Sequence, residues 1–203
     1  MKLSKKGEYA LRSLINLGIA AEMERKLVQV SELAESEQLP VKFLEQILQA
    51  LKEAGIVESR RGKFGGYRLG RPARKIFIGE VVRLIDGPLA PIGCVSQTAY
   101  EPCTCPDEAH CGLRMLMVDV RNAIANILDR YTLADVVEIT LRKMRRDSVS
   151  LPFAARAAGT RAEPRVPARI ARLQLSRRGR SGRKRMTSPS EGVLHHILGE
   201  YSI

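Results

Sequence analysis

Apolar residues recur at intervals of three and four across residues 9–23, where Leu11, Leu14, Ile15 and Ile19 line one side and Arg12 and Asn16 fall off it. That spacing predicts an amphipathic first helix. After a polar joint at 24–26, Ser31 stands where an N-cap would open a brief helix over 32–37. Pro40 suits the first turn of a third helix, with Leu44, Ile47, Leu48 and Leu51 on one face and Gly55 as its stop. The period then changes: residues 56–61 alternate, 62–66 are glycine-rich and 67–69 return, which predicts a hairpin directly after the third helix. Further on, Leu113, Met117, Val120, Ile124, Ile127 and Tyr131 follow alternating steps of four and three, and Leu116, Ala123 and Leu128 widen the stripe of a long helix expected over residues 112–130. One packing face does not need that much apolar surface. The helix is therefore expected to dock on its own body and to pair with the same helix of a second subunit, the alternative being a purely intramolecular core helix. Thr132 with Asp135 resembles a capping box for a last short helix over 133–139.

The polar positions of the third helix give this outline a direction. Lys42, Glu45, Gln46 and Gln49 lie opposite its apolar stripe. Gln can pair with adenine, Glu can accept from the cytosine amino group and Lys can hold guanine or phosphate, so the face has the chemistry to read a major groove, although a merely solvated face would look similar. The hairpin shifts the balance. From Arg60 to Lys75 there are seven basic residues, Arg61 and Lys63 among them, and no acidic one. Helix, helix, basic hairpin is a DNA-binding arrangement with the wing placed on phosphates or a minor groove. The fold class expected is mainly α with a small β-wing: a winged helix-turn-helix domain over 1–90 and a loop over 91–111. A long dimerisation helix and a short final one fill 112–140, and a basic tail fills 146–203. The glycines at 62–70 match neither common nucleotide-phosphate loop.

Charge separates that tail from the rest. Residues 1–145 hold 22 basic and 18 acidic residues, whereas 146–203 hold 12 and 4, so the tail supplies +8 of the net +12. Its Arg-rich runs and scattered prolines cannot bury enough surface to offset ordering entropy, which predicts disorder and a non-specific attraction to DNA. No stretch approaches the roughly 18 apolar residues needed to span a bilayer, so no membrane association and a cytoplasmic location are expected. With three histidines, two of them in the tail, and no nucleophile or cofactor signature, an enzyme is not expected.

All four cysteines, Cys94, Cys103, Cys105 and Cys111, fall within 18 residues, separated by eight, one and five others. In a reducing compartment such clustering points to metal, cluster or redox chemistry. Structural zinc modules usually bring C-x2-C or C-x4-C pairs, and neither occurs here. Glu101, Asp107 and Glu108 argue against activated thiolates.

Taken together, residues 1–11, Phe43-Leu44-Glu45-Gln46-Ile47-Leu48, Gly55-Ile56-Val57, Arg61-Gly62, Gly65-Gly66-Tyr67 and Ile78-Gly79-Glu80-Val81-Val82-Arg83 resemble the IscR/NsrR-type, or Rrf-two, winged-helix transcriptional regulators. The resemblance covers about residues 1–140. It implies sequence readout by Glu45 and wing contact by Arg61. It also implies a three-cysteine loop holding a 2Fe-2S or 4Fe-4S cluster, with Cys94 and Cys111 as the outer ligands and either Cys103 or Cys105 between them. The fourth ligand stays open among the spare cysteine, His110 and Glu8, the last from its own or the partner subunit. The function this implies is a homodimer on double-stranded promoter DNA, controlled by the cluster. The alternative is a cluster-free regulator of the same fold that senses thiol oxidation or a small molecule.

Overall fold

The computed structural model describes residues 2–62 and 64–153. Lys63 and the part of the basic tail at 154–203 lie outside the described residues. In chain order come α1 (Lys5–Glu22), α2 (Val30–Glu37), α3 (Val41–Glu53), β1 (Val57–Arg60), β2 (Gly66–Leu69), α4 (Ile78–Asp86), α5 (Gly112–Arg130) and α6 (Leu133–Arg146), with single 3-10 turns at Ala73–Lys75 and Gly93–Val95.

The apolar stripes pack as their spacing requires. Leu14 of α1, Leu33 of α2 and Leu44, Ile47, Leu48 and Leu51 of α3 are completely buried. The helices α1, α2 and α3 thus close on one another around a leucine core, and α1 also packs against α4 and α6. A second cluster forms where Ile78, Val82, Leu89 and Tyr131 meet Leu11, Ile124 and Leu128. Two backbone hydrogen bonds stitch it: Ile78 N to Tyr131 O at 3.0 Å and Leu133 N to Ile76 O at 2.8 Å.

Three boundaries differ from the expected ones. Helix α1 starts at Lys5 because Ser4 caps it: the Ser4 hydroxyl accepts from Gly7 N at 3.0 Å, while Ser4 N donates to Asp86 of α4 at 2.8 Å. Helix α2 starts at Val30 with Gln29 as its cap, leaving Ser31 inside the first turn. The capping box at Thr132 and Asp135 is present, but α6 runs on to Arg146, seven residues past the expected end, with Arg142 paired to Glu138 and three further cations in the last turn facing the negative end of the helix dipole.

The wing is a two-stranded antiparallel sheet in which Val57 pairs with Leu69 and Arg60 with Gly66. Its base is fixed by a bridge to the α1–α2 link, where Val28 and Tyr67 exchange hydrogen bonds of 2.9 and 2.8 Å. The close approach depends on Gly66, since a Cβ there would sit 2.4 Å from the Val28 carbonyl oxygen. Gly66→Ala is expected to cost about 1–3 kcal/mol and lower the melting temperature by several degrees in thermal unfolding. Wild-type melting would show that the bridge yields freely.

Candidate nucleic-acid interface and cysteine loop

Burial of the α3 leucines leaves Lys42, Glu45, Gln46 and Gln49 exposed on one side of that helix. Gln49 Nε2 donates to Glu53 Oε1 at 2.8 Å. Glu45 lies near the wing base: the Tyr67 phenol has its pKa raised first by burial and then by the Glu45 charge. Between α3 and the wing runs an open groove of about 500 Å³, with Gln49 and Lys52 on the helix wall and Ser59, Arg60 and Arg61 on the wing wall. The structure therefore sets Arg61 and Gln49 along the same groove. Lys52 and Ser59 carried no periodic signal of their own and emerge only when the hairpin folds against α3.

The run of basic residues divides by role. Arg68 pairs with Glu58 across the hairpin at 2.7 Å, and Arg71 pairs with Glu80 of α4. These two cations hold the wing to itself and to α4. Arg60 and Arg61 are exposed in the groove, and Arg74 and Lys75 belong to the following 3-10 turn.

The four thiols lie in succession on the segment between α4 and α5. Cys94 is buried in the Gly93–Val95 turn and engages Cys103, while Cys105 engages both Cys103 and Cys111, the latter at an Sγ–Sγ distance of 4.0 Å. Cys111 is the N-cap residue of α5. Outer thiols on ordered elements thus bracket two inner ones in irregular chain. Burial pushes the Cys94 thiol up, and Cys103 adds to it. Hydrogen bonds to Cys103 and Cys111 push Cys105 up to about 12. Thiols held in this way stay protonated near neutrality and are poor nucleophiles.

The loop is fastened to α5 at two further points. Arg121 Nη1 donates to the Val95 carbonyl at 2.6 Å, beside Cys94. Glu108 accepts from the Tyr100 hydroxyl at 2.7 Å and pairs with Arg114 Nε at 3.0 Å. None of these ties was foreseeable from spacing. His110 is exposed and its Nδ1 lies 2.7 Å from Asp107 Oδ2, and Glu8 is on α1 with Lys5 at 2.8 Å and Arg12 at 3.6 Å as its ion-pair partners. His110 lies on the cysteine loop directly before Cys111, whereas Glu8 belongs to α1. Among the described residues no three His, Cys, Asp or Glu side chains are placed to hold a single metal ion. Thiolates are the donors that iron–sulfur cores take, so the donor set of Cys94, Cys103, Cys105 and Cys111 fits such a group.

Helix α5 completes the picture. None of its 19 residues is buried. Ile124 and Leu128 pack on the second core cluster, but Leu113, Met115, Leu116 and Ile127 are all among the exposed large apolar residues. The broad stripe read from the sequence is thus two stripes, one used within the chain and one open. Among the described residues no helix is long and apolar enough to cross a membrane.

A polar helix face beside a basic wing defines a winged-helix DNA-binding regulator. The comparisons agree. Residues 3–139 match the Rrf2 family, described as an iron-dependent transcriptional regulator, and the chain belongs to that family. It is 39% identical over 137 residues to a Rrf2-like HTH-type transcriptional regulator of Rhodobacter capsulatus, covering 66% of this chain and 91% of the relative. The structure of CymR, the global cysteine regulator of B. subtilis, superposes with a TM-score of 0.57 at 31% identity, covering 68% of this chain and 98% of that one. For T. potens IscR the TM-score is 0.54 at 27% identity, covering 74% and 93%. These relatives are regulators and not enzymes, and the family implies DNA binding.

Proposed function

We propose that this chain is a homodimeric promoter-binding regulator whose operator affinity is set by an iron–sulfur cluster, 2Fe-2S or 4Fe-4S, held by the Cys94–Cys111 loop. The observation that carries the reading is the unbroken succession of four thiols on a loop fastened to α5. Cys94 and Cys111 anchor from ordered elements. Cys103 and Cys105 supply the third position, and the fourth falls to the spare thiol, His110 or Glu8 of either subunit. When bound, the cluster supplies positive iron that keeps the thiolates deprotonated and a centre sensitive to iron supply and oxidation. Arg121 passes the position of the Cys94 turn to α5, and α5 paired across a two-fold axis sets the spacing of the two α3 helices. Half-sites about one turn of DNA apart, roughly 34 Å, tolerate little change in that spacing. Glu45, with Lys42, Gln46 and Gln49, reads bases, while Arg61 and Lys63 hold phosphates from the wing.

A second reading has a specific observation behind it. Cys105 and Cys111 are 4.0 Å apart, so a disulfide switch on the same dimer is the alternative. One experiment separates the two. The full chain is purified without oxygen, iron and acid-labile sulfide are quantified, and affinity is measured for a duplex selected by the chain from a random pool, before and after cluster removal. The expected result is matched iron and sulfide with at least a roughly tenfold change in affinity. Iron-free protein whose affinity follows thiol oxidation would install the disulfide reading instead.

A further inference from the structure

Cys111 stands between two opposite charges that meet across it. Glu108 lies three residues before it on the loop and Arg114 three residues after it, in the first turn of α5, and Arg114 Nε is 3.0 Å from the Glu108 carboxylate. The backbone closes the same ring, since Cys111 N donates to the Glu108 carbonyl at 3.4 Å. Glu108 is held from its other side as well: the Tyr100 hydroxyl donates to its second carboxylate oxygen at 2.7 Å. Arg114 occupies a poor place for a cation. The positive end of a helix dipole favours acidic residues in the first turn, and α5 has none there. Glu108 supplies from the loop the negative charge that the helix itself lacks.

The two side chains are 37% and 31% exposed, and Arg114 Nε itself is buried, so water screens their charges incompletely. Their field crosses the loop. The Cys94 thiol is pushed up first by burial and then by Cys103, and after these Glu108 pushes it up while Arg114 draws it down. The pair thus flanks one outer thiol in the chain and reaches the other through space. We propose that Arg114 and Glu108 are opposed charges that set how readily a cluster in this loop accepts an electron, Arg114 favouring the reduced form and Glu108 the oxidised one. The proposal rests on the cluster reading of the loop and deepens it, adding two residues that ligate nothing. One electron, supplied in the test by dithionite, makes the cluster one charge more negative with no bond made or broken. A nearby cation stabilises that product and a nearby carboxylate opposes it. Tyr100 is the positioning residue that fixes Glu108 opposite Arg114. A merely structural staple would act otherwise, because breaking it from either end loosens the same loop and moves both variants the same way.

The test uses the full chain, loaded with iron and sulfide without oxygen and titrated at one pH with dithionite and redox mediators, the visible spectrum being the readout. In Arg114→Gln the ratio of reduced to oxidised cluster at a fixed potential is expected to fall roughly tenfold, which is about 59 mV for a one-electron couple. In Glu108→Gln it is expected to rise by a similar factor. Arg114→Lys keeps the charge and stays close to the wild-type midpoint, and the double Gln variant lies between the two single ones. Circular dichroism, with iron and sulfide per chain, shows that each variant is folded and loaded. Equal midpoints in all variants, shifts of one sign in both single Gln variants, or loss of the cluster from both, would overturn the proposal and leave the cluster reading in place. A Glu108→Gln chain that loses its iron while Arg114→Gln keeps it would make Glu108 a ligand and overturn the proposal too. A wild-type chain that takes up neither iron nor sulfide would overturn the cluster reading and this inference together.

Discussion

Cys94→Ala is expected to remove both the iron–sulfur content of the protein and the response of its operator affinity to cluster loss, and Cys111→Ala to do the same. Cys103→Ala and Cys105→Ala are expected to keep part of both. The difference follows from where each sulfur is attached. Cys94 sits in a buried turn whose Val95 carbonyl is held by Arg121 at 2.6 Å, and Cys111 stands at the N-cap position of α5. Each of these two sulfurs is positioned by an ordered element of the chain. Cys103 and Cys105 are one residue apart in irregular chain, so either can take the other's place with a small loop adjustment. Iron and sulfide per chain, the visible spectrum and duplex affinity before and after chelation give the answer, with circular dichroism confirming the fold. A Cys94→Ala protein that keeps its iron and its switching would remove the cluster from this loop.

How far the sequence alone could go depended on where each determinant lies. Helix α3 was legible because a leucine stripe facing a completely dry core is a local pattern. The start of α1 was not, because residues 5–8 are polar or glycine and their helicity is secured by Ser4, whose amide and hydroxyl reach Asp86, 82 residues away. Helix α4 showed only as a family motif, since nine residues capped by Phe77 carry no side-chain start signal. The end of α6 was hidden because Arg142, Lys143, Arg145 and Arg146 look like the beginning of a basic tail, whereas at a helix C-terminus they favour the dipole.

The candidate site divides in the same way. Clustering of the thiols and the cationic character of the wing are compositional, so both could be read directly. Which cations serve DNA could not, because Glu58 and Glu80 claim Arg68 and Arg71 only once the hairpin has closed and α4 has packed. Arg121 is the plainest case: an arginine on an amphipathic helix looks like a solvated residue until its partner, a backbone carbonyl 26 residues upstream, is known. Side chain–backbone bonds over such distances leave no pattern in sequence.

The open stripe of α5 carries the remaining large effect. Leu116→Glu is expected to raise the dimer dissociation constant at least about a hundredfold, and to weaken operator binding with it. Leu116 is 56% exposed in the single chain, so the substitution leaves the monomer's packing intact. Across a two-fold axis the change acts twice, placing two carboxylates in the apolar centre of the interface without partners. Operator affinity falls because each α3 then binds its half-site alone, without the effective concentration that linkage provides. Ile124→Ala supplies the contrast on the same helix. Ile124 faces the Ile78–Val82 cluster, so its truncation should lower the melting temperature by several degrees and leave self-association unchanged. Sedimentation velocity and thermal unfolding on the two variants separate these outcomes. A Leu116→Glu chain that sediments as the wild-type dimer would place the subunit contact elsewhere, and would leave the coupling from Cys94 through Arg121 to α5 without a route to the DNA.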